Sequence, residues 1–465
     1  MKALHVSSKS RTAREERRNW PLLEVVNSGL CSGCGTCVSL CPQSAVDLVI
    51  DRVKGVYIPK TDGEKCNWCG ICFKVCPGHS ANPTQTNPEE TIQDEETELN
   101  NVLIGNRHDC YIGHSSNQKT RHDTTSGGLV TQLLVFALEE QIVDGALTIR
   151  MNEERPLEPE PFIARTRVEI VSASKSKYCP VPANIALREI RQHEGKFAVV
   201  GLPCQIRGIR KAEALDKRLK ERIILHMGLF CSHTVNFVGT EILLGKIGVL
   251  KQDVKQLCYR GYGWPGHLSV LTKKGERKFI KYRDYWNSLF GPNFFTPLNC
   301  LSCGDHTNEL ADLSFGDPWL KDMIRNDKEG SSIVISRSII GDEILERAKS
   351  ARAITLNRID VKSVVKSQYT SLFSKKIGLG PRMSILKALG IGTPGCSKGR
   401  KNANPLLYIV CLLQILDCIA SQRKLFQSIL RRMPFTFLRV WSACLYYLEL
   451  LSYKQEGMKY KHVYP

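Results

Sequence analysis

The sequence predicts an α/β chain (α+β overall) in three parts: a small cysteine-rich module, a larger mixed α/β domain and a helical C-terminal tail. Three observations carry this expectation. Two runs of four cysteines, each closed by a proline, stand in the first 80 residues; short apolar runs alternate with helical faces from Cys110 onward; and the segment after Cys396 is apolar, aromatic and basic. A chain of 465 residues has room for two to four domains. Its 42% hydrophobic and 24% charged composition excludes disordered, collagen-like and fully membrane-embedded classes.

Residues 1–20 read as a basic, flexible N-terminus. Met1–Trp20 carries neither the apolar core nor the small-residue cleavage site of a secretory signal, so a reducing cytoplasm is expected. There, 19 cysteines serve as thiolate ligands or reactive thiols rather than bridges.

The module spans 21–80. Cys31, Cys34, Cys37 and Cys41 precede Pro42, and Cys66, Cys69, Cys72 and Cys76 precede Pro77, each run reading C-x2-C-x2-C-x3-C-P. This is the bacterial ferredoxin spacing, and its repetition predicts a domain with two [4Fe–4S] clusters. Two-residue gaps curl three thiolates round one face of a cubane, and the fourth cysteine, starting a short helix, completes the other cluster. Cys31, Cys34, Cys37 and Cys76 are therefore assigned to one cluster, and Cys66, Cys69, Cys72 and Cys41 to the other. Zinc needs only two C-x2-C pairs and does not call for a third cysteine and a proline. Ala45–Ile50 and Gly55–Pro59, joined at Lys54-Gly55, fit a small hairpin.

Residues 81–102 form an acidic linker with Glu89, Glu90, Asp94, Glu95, Glu96 and Glu98. The larger domain, 103–395, opens an alternation of strands and helices. Leu129, Val130, Leu133, Leu134, Ala137 and Leu138 share one helical face; Phe197–Val200 is an apolar strand followed by a Gly-Pro turn and a basic helix from about Gln205; Ile223–Leu225 and Ala311–Phe315 are further strands. Chemistry is expected where loops converge at strand ends.

Gly261-Tyr-Gly263-Trp-Pro-Gly266 matches G-x-G-x-x-G in letter only. A dinucleotide fingerprint needs a helix to start in the turn, whereas His267–Thr272 alternates as a strand and turns at Lys274-Gly275. Ser126-Gly127-Gly128 is the better phosphate site: Thr124, Thr125 and Ser126 can cap the next helix, and the glycines let an anion approach its free N–H groups. An ordinary N-cap is the alternative.

Thr125-Ser-Gly-Gly128, Val200-Gly-Leu-Pro-Cys204-Gln205, Gly228-Leu-Phe-Cys231, Tyr259-Arg-Gly-Tyr-Gly-Trp-Pro-Gly266, Cys300-Leu-Ser-Cys303 and Ala311-Asp-Leu-Ser-Phe-Gly316-Asp-Pro-Trp319 follow in an order that resembles the beta-subunit family of coenzyme F420 hydrogenases and dehydrogenases. The resemblance covers about Leu103 to Leu379. It implies a flavoprotein holding FAD beside iron–sulfur centres and passing electrons between a two-electron carrier and one-electron partners. Carried over, Ser126, Gly127, Gly128 and Thr131 would meet the flavin's phosphates, and Lys177 and Tyr178 fall in the family's Gly-Ser-Lys-Tyr stretch, where this chain has Lys175 in place of the glycine. Gly201, Pro203, Cys204 and Gln205 would face the flavin ring or a cluster. Cys204, Cys231, Cys300 and Cys303 suit a third cluster or, alternatively, small buried positions.

The function expected is that of an iron–sulfur flavoprotein oxidoreductase working with a redox partner protein or ferredoxin and a small-molecule electron carrier or substrate. The rival is a non-catalytic electron-transfer subunit feeding a partner enzyme, in a setting such as surface-polysaccharide biosynthesis. No general acid is assigned; Asp317 and His233 are candidates by position. The net charge of +19 comes without a nucleic-acid reader motif, so no nucleic-acid partner is expected. The tail, 396–465, holds eleven Lys and Arg against three acids from Ser397 onward. Pro405–Leu416 and Phe435–Leu451 are interrupted by Asp417 and Arg439 before a bilayer could be spanned. They predict a basic amphipathic helical pair on an anionic membrane, with Lys424, Arg431 and Arg432 at the headgroups and Trp441, Tyr446 and Tyr447 at the boundary, or the same helices packed on the core. The location expected is cytoplasmic, peripheral at the inner membrane face.

Overall fold

The computed structural model describes residues 20–79, 95–392 and 403–457. The cysteine module opens with a helix, Trp20–Asn27, and holds the hairpin β1 (Val46–Asp51) and β2 (Val56–Thr61). Two four-residue helices, Thr36–Ser39 and Ile71–Lys74, repeat the same device: a glycine directly after the second cysteine, Gly35 at φ 90° and Gly70 at φ 71°, turns the chain left-handed at the helix start. Each helix carries the third cysteine, Cys37 or Cys72, and ends before the fourth. The expectation that the fourth cysteine starts a helix is corrected accordingly.

The module is docked on the larger domain. Arg188 and Arg191 donate to the last carbonyls of the first short helix, at Val38 O (3.0 Å) and Ser39 O (2.8 Å), and Lys211 donates to Cys76 O at 2.8 Å. Asn184 bonds Cys34 O through its backbone N–H and Thr36 Oγ1 through Nδ2, both at 2.8 Å. The acidic linker is shorter than expected, because Glu95–Ile104 is a helix with Leu103 and Ile104 fully buried. Residues 1–19, 80–94 and the junction at 395/396 lie outside the described residues.

The larger domain is built on an eight-stranded sheet. Its strands are β3 (Asp109–Ser115), β4 (Gly145–Met151), β5 (Pro159–Ala164), β6 (Phe197–Gly201), β7 (Ile223–Leu229), β11 (Leu313–Gly316), β12 (Ser332–Ser336) and β13 (Ile354–Arg358). The order is β13-β3-β12-β11-β7-β6-β4-β5. The inner four, β4-β6-β7-β11, run parallel and the flanking strands antiparallel. Central strands read as continuous apolar runs because both faces are covered. On one face, helix α1 (Leu129–Glu139) packs Leu133 and Ala137 with Val200, Met227 and Phe315; on the other, helix α2 (Pro203–Glu213) packs Ile206 and Ile209 with Val199 and Ile223. Pro203 opens α2, two residues earlier than expected, since its fixed φ and missing N–H cost nothing in a first turn. A separate antiparallel sheet of β8 (Val254–Gly261), β9 (His267–Thr272) and β10 (Arg277–Lys281) follows, so the segment after Gly266 is a strand as expected.

Helix α3 (Val361–Lys376) leads to the tail, which forms three helices rather than a pair: α4 (Pro405–Ser421), α5 (Lys424–Arg432) and α6 (Phe435–Gly457). Their inner faces join the core through Leu407, Cys411, Ile415, Leu430, Leu438 and Tyr453. Asp417 is buried and accepts from Trp441 Nε1 at 2.8 Å. Among the described residues no single helix is long and apolar enough to cross a membrane.

Behind the sheet His226 is fully enclosed, with Nδ1 3.0 Å from Asp312 and Nε2 2.7 Å from Glu213. Burial opposes its protonation, but hydrogen bonds to the two carboxylates outweigh burial and raise its pKa. Burial likewise acts upward on Asp312, whose bond to His226 holds it down at about 2. Stability from the raised His226 is complete below its unfolded pKa and disappears as pH climbs through the folded one; stability from Asp312 is present above its unfolded pKa and lost as pH falls through the folded value. His226→Gln is therefore expected to cost about 2 kcal/mol near pH 5.5 and less at pH 9. Urea melts of both proteins at the two pH values check this; an equal loss at both removes the charged histidine.

Candidate functional site

Three groups of thiols and one large cavity make up the site. Within the module, Cys34 and Cys76 act electrostatically on Cys31; Cys31, Cys34 and Cys76 act on Cys37; and burial is the main cause that pushes Cys31 up to about 12. Cys41, Cys66 and Cys69 surround Cys72 in the same way. Cys72 of the other run acts on Cys37 as well, so the two groups of thiols adjoin. Among the described residues no three His, Cys, Asp or Glu side chains converge on a single ion. The two sets also differ in exposure, Cys69 lying at the surface while Cys34 and Cys37 are buried.

A third group sits between the module and the cavity. Cys204, at the start of α2, has Cys231, Cys34, Cys300 and Cys303 as its charged-state neighbours. Cys231 follows β7, Cys300 lies in the short helix Leu298–Leu301, and Cys303 follows that helix. Buried among them is a cation: Lys375, 4% exposed, donates to Cys300 O at 3.1 Å and acts on both Cys231 and Cys300. Four soft thiolates beside one buried ammonium are the donor set and charge that an anionic iron–sulfur core requires. Lys375 lies in α3, a helix that the sequence reading did not connect with these cysteines.

The cavity, about 1220 Å³, opens at the carboxyl ends of β6, β7 and β11, where Gly201, Leu229 and Gly316 line it. Ser126, Gly128, Thr131, Lys177, Tyr178, Gly201 and Gln205 of the expected flavin set are in its wall, with Cys231 and Cys300. Gly127, Pro203 and Cys204 are not in its wall. Two buried polar atoms in the wall, Thr148 Oγ1 and His306 Nδ1, lack a hydrogen-bond partner among the described residues. Both atoms are closed off from the cavity space, so the fit to a flavin rests on the size of the cavity and its polar wall.

The loop before α1 departs from expectation in its details. The N-cap is Gly128 at φ 69° with no side-chain cap, so Thr124, Thr125 and Ser126 do not cap the helix. A Cβ on Gly127 would stand 2.7 Å from Gly330 O, and one on Gly128 2.8 Å from Thr120 O. Both glycines admit neighbouring backbone, so their first role is packing of the loop rather than room for a ligand. Lys177 is buried and donates from Nζ to the carbonyls of Ala173, Ser174 and Lys175, the last two at 2.8 and 2.9 Å; burial lowers its pKa to about 7. Lys175, where the resemblance expects glycine, adopts φ 74°, the left-handed region glycine favours.

Asp317 is the hub of the cavity floor. Arg260 meets it with two parallel bonds, 2.7 and 2.8 Å; Trp264 Nε1 donates to it at 2.7 Å and Ser126 Oγ at 2.8 Å. The Arg260 guanidinium in turn lies over the rings of Tyr282 and Trp319. Burial acts upward on Asp317, yet Arg260 and the donors hold its carboxyl below the ordinary range, which rules it out as a general acid. His233 donates from Nε2 to Phe290 O at 3.0 Å and stacks on Trp286, and burial drops its pKa to about 4.

Comparison with known proteins gives the following. The family described as coenzyme F420 hydrogenase/dehydrogenase, beta subunit, matches over 110–188 by its N-terminal part and 194–362 by its C-terminal part, and a 4Fe-4S dicluster domain matches 30–80. The chain is 26% identical over 303 residues to the coenzyme F420 hydrogenase subunit beta of Methanothermobacter thermautotrophicus, covering 63% of this chain and 100% of that protein. It is 25% identical over 359 residues to the coenzyme F420-dependent sulfite reductase of Methanocaldococcus jannaschii, covering 73% of this chain and 49% of that one. Among solved structures, a chain of the F420-reducing [NiFe] hydrogenase complex from Methanosarcina barkeri superposes with a TM-score of 0.49 at 22% identity, over 63% of this chain and 96% of that chain.

Proposed function

Because the chain belongs to the coenzyme F420 hydrogenase/dehydrogenase beta-subunit family and carries a 4Fe-4S dicluster domain at its N-terminus, we propose that it is an FAD-dependent oxidoreductase joining a one-electron protein partner to a small two-electron carrier or substrate. Its type, an iron–sulfur electron-transfer subunit, follows from the family. The single observation that carries the finer reading is the continuity of the site. Thiols run from surface Cys69 through Cys72, Cys37 and Cys34 to Cys204 and Cys300, and Cys300 is already in the wall of the cavity.

The residues assigned to the N-terminal clusters are the two crosswise sets of four; Cys204, Cys231, Cys300 and Cys303 are assigned to a third. Ser126, Thr131, Tyr178, Gly201 and Gln205 would hold the flavin. When bound, FAD supplies exchange of electron pairs with a small molecule and of single electrons with iron–sulfur centres. The protein's own part is to exclude water, fix orientation through the Asp317 hub, and set the charge around the thiols through Lys375.

Anaerobic purification with iron, sulfide and flavin analysis tests this. The full chain is expected to be yellow and to hold three clusters; Cys300→Ser should lose about one cluster's iron and leave the N-terminal pair intact. Clusters without flavin would favour the rival, a carrier subunit with no substrate of its own.

The same reading places the protein against an anionic membrane. The outward faces of α4 and α6 expose Ile409, Leu412, Leu416, Phe437, Val440, Tyr447 and Leu451, and α5 presents Lys424, Arg431 and Arg432 to solvent. Two of the tail's acids, Asp417 and Glu449, are turned inward onto Trp441, and onto Gln414 and Tyr453. An apolar stripe rimmed by cations complements anionic headgroups. Arg431→Ala with Arg432→Ala is expected to weaken vesicle binding roughly 30-fold at low salt, at about 1 kcal/mol per charge. Cosedimentation with anionic and neutral vesicles reads this; equal binding to both ends the membrane reading.

A further inference from the structure

The cavity has an outer half that the proposed flavin leaves open. Its volume of about 1220 Å³ exceeds the roughly 300–1,000 Å³ that one ligand usually occupies. The inner half lies at the strand ends. The outer half is walled by α3, α4 and α6, with Lys366, Arg439, Ser442, Tyr446, Tyr447 and Leu450 in contact with it. These elements, apart from the first two residues of α3, lie beyond residue 362, where the match to the family ends. Most of this wall therefore comes from residues beyond the family match, with Arg283 supplied from within it.

Two properties define what it takes. The first is charge. The whole cavity wall carries eight Lys and Arg side chains against three acids, and two of those acids are already engaged, Asp317 by Arg260 and Asp284 by Arg439 at 2.9 Å. On the outer side Arg283 and Lys366 are exposed and have no acidic partner among the described residues. The second is its exit. Tyr446 and Tyr447 are at once part of the cavity wall and, at 47% and 66% exposure, part of the solvent-facing surface of α6. The mouth therefore opens onto the helix that carries Phe437, Val440 and Leu451 outward, so a ligand leaving the cavity moves onto apolar surface.

We propose that the outer half of the cavity is the headgroup site for an anionic, phosphate-bearing amphiphile, whose apolar chain leaves past the paired rings of Tyr446 and Tyr447 along the exposed face of α6. This deepens the proposed function by naming the class of second ligand, and it rests on the inner half being the flavin site. Arg283 and Lys366 hold the head, the tyrosines offer hydroxyls at the boundary, and the stripe shelters the chain at the membrane surface. A soluble anion would use the first of these features alone, and a neutral apolar molecule only the last.

Calorimetry on the full chain tests this with three probes below micelle-forming concentration: n-decyl phosphate, inorganic phosphate and 1-decanol. Decyl phosphate is expected to bind at least about tenfold more tightly than either fragment. Lys366→Glu with Arg283→Glu, and separately Tyr447→Asp, should each weaken it about tenfold while flavin content stays unchanged. The substituted residues are exposed, so both variants are expected to fold, and circular dichroism checks that they do. Decyl phosphate binding no better than inorganic phosphate overturns the proposal, as does binding that neither variant changes. A fully flavinated protein that ignores decyl phosphate overturns this inference alone. Binding retained in protein that never holds flavin supports the headgroup site and overturns the flavin reading instead.

Discussion

Arg260→Ala is expected to destabilise the folded chain by about 3–5 kcal/mol, the cost of leaving a buried carboxylate without its cation. Arg260 is 1% exposed and ties β8 to the loop after β11 through Asp317, while Ser126 and Trp264 bring two further loops to the same carboxylate. Removing the guanidinium leaves three elements arranged around an unpaired charge. Arg260→Lys should recover only part of the loss, because an ammonium cannot form both parallel bonds or cover the Tyr282 and Trp319 rings as a plane. Urea melts give the stability, and flavin content after anaerobic purification gives the effect on the site, expected to fall as the Ser126 loop loosens. A melt within about 1 kcal/mol of wild type would show that the pair contributes little beyond its own desolvation.

Gly208→Val is expected to slow electron flow between the N-terminal module and the cavity several-fold, because tunnelling weakens with each added fraction of an ångström between centres. A Cβ at this position of α2 would stand 2.4 Å from Thr36 Oγ1 and 2.9 Å from Asn184 Nδ2, the two atoms that pin the module. The added side chain must push the module off the helix that carries both Cys204 and Lys211. Iron content should stay near wild type, because no thiol is changed, and limited proteolysis should release the module faster. Stopped-flow reduction of flavin from a ferredoxin-type donor measures the rate. An unchanged rate with the substitution in place would mean the module docks elsewhere during turnover.

What could be read in the sequence was local. The doubled cysteine spacing and the hairpin between its runs depend on neighbours a few residues apart, and Pro265-Gly266 before an alternating run marked β9 as a strand and not a helix. What could not be read depended on partners far along the chain. Gly127 and Gly128 look like a phosphate cradle, yet what crowds Gly127 is the backbone of Gly330 and Ser331, some 200 residues later. Asp317 stands in a motif that draws the eye as an acid, and only the register of β8 reveals Arg260 beside it. Asp417 breaks an apolar run and reads as solvent-facing; its burial becomes visible once α6 supplies the Trp441 indole. Lys375 had no signal at all, being one of several lysines in a helix whose pattern is ordinary.

The roof over the third set of thiols has a consequence for how they are filled. Lys375 and Arg382 clasp the carbonyls of Cys300 and Leu301, Ser421 receives the backbone N–H of Phe295, and Cys418 reaches Thr296 O. All four clasps come from residues 375–421 and hold the segment bearing Cys300 and Cys303 from one side. On its other side Cys300 faces the cavity, and both thiols stay half-exposed. A cluster held there, as proposed, would therefore be loaded through the cavity with the clasps still fastened.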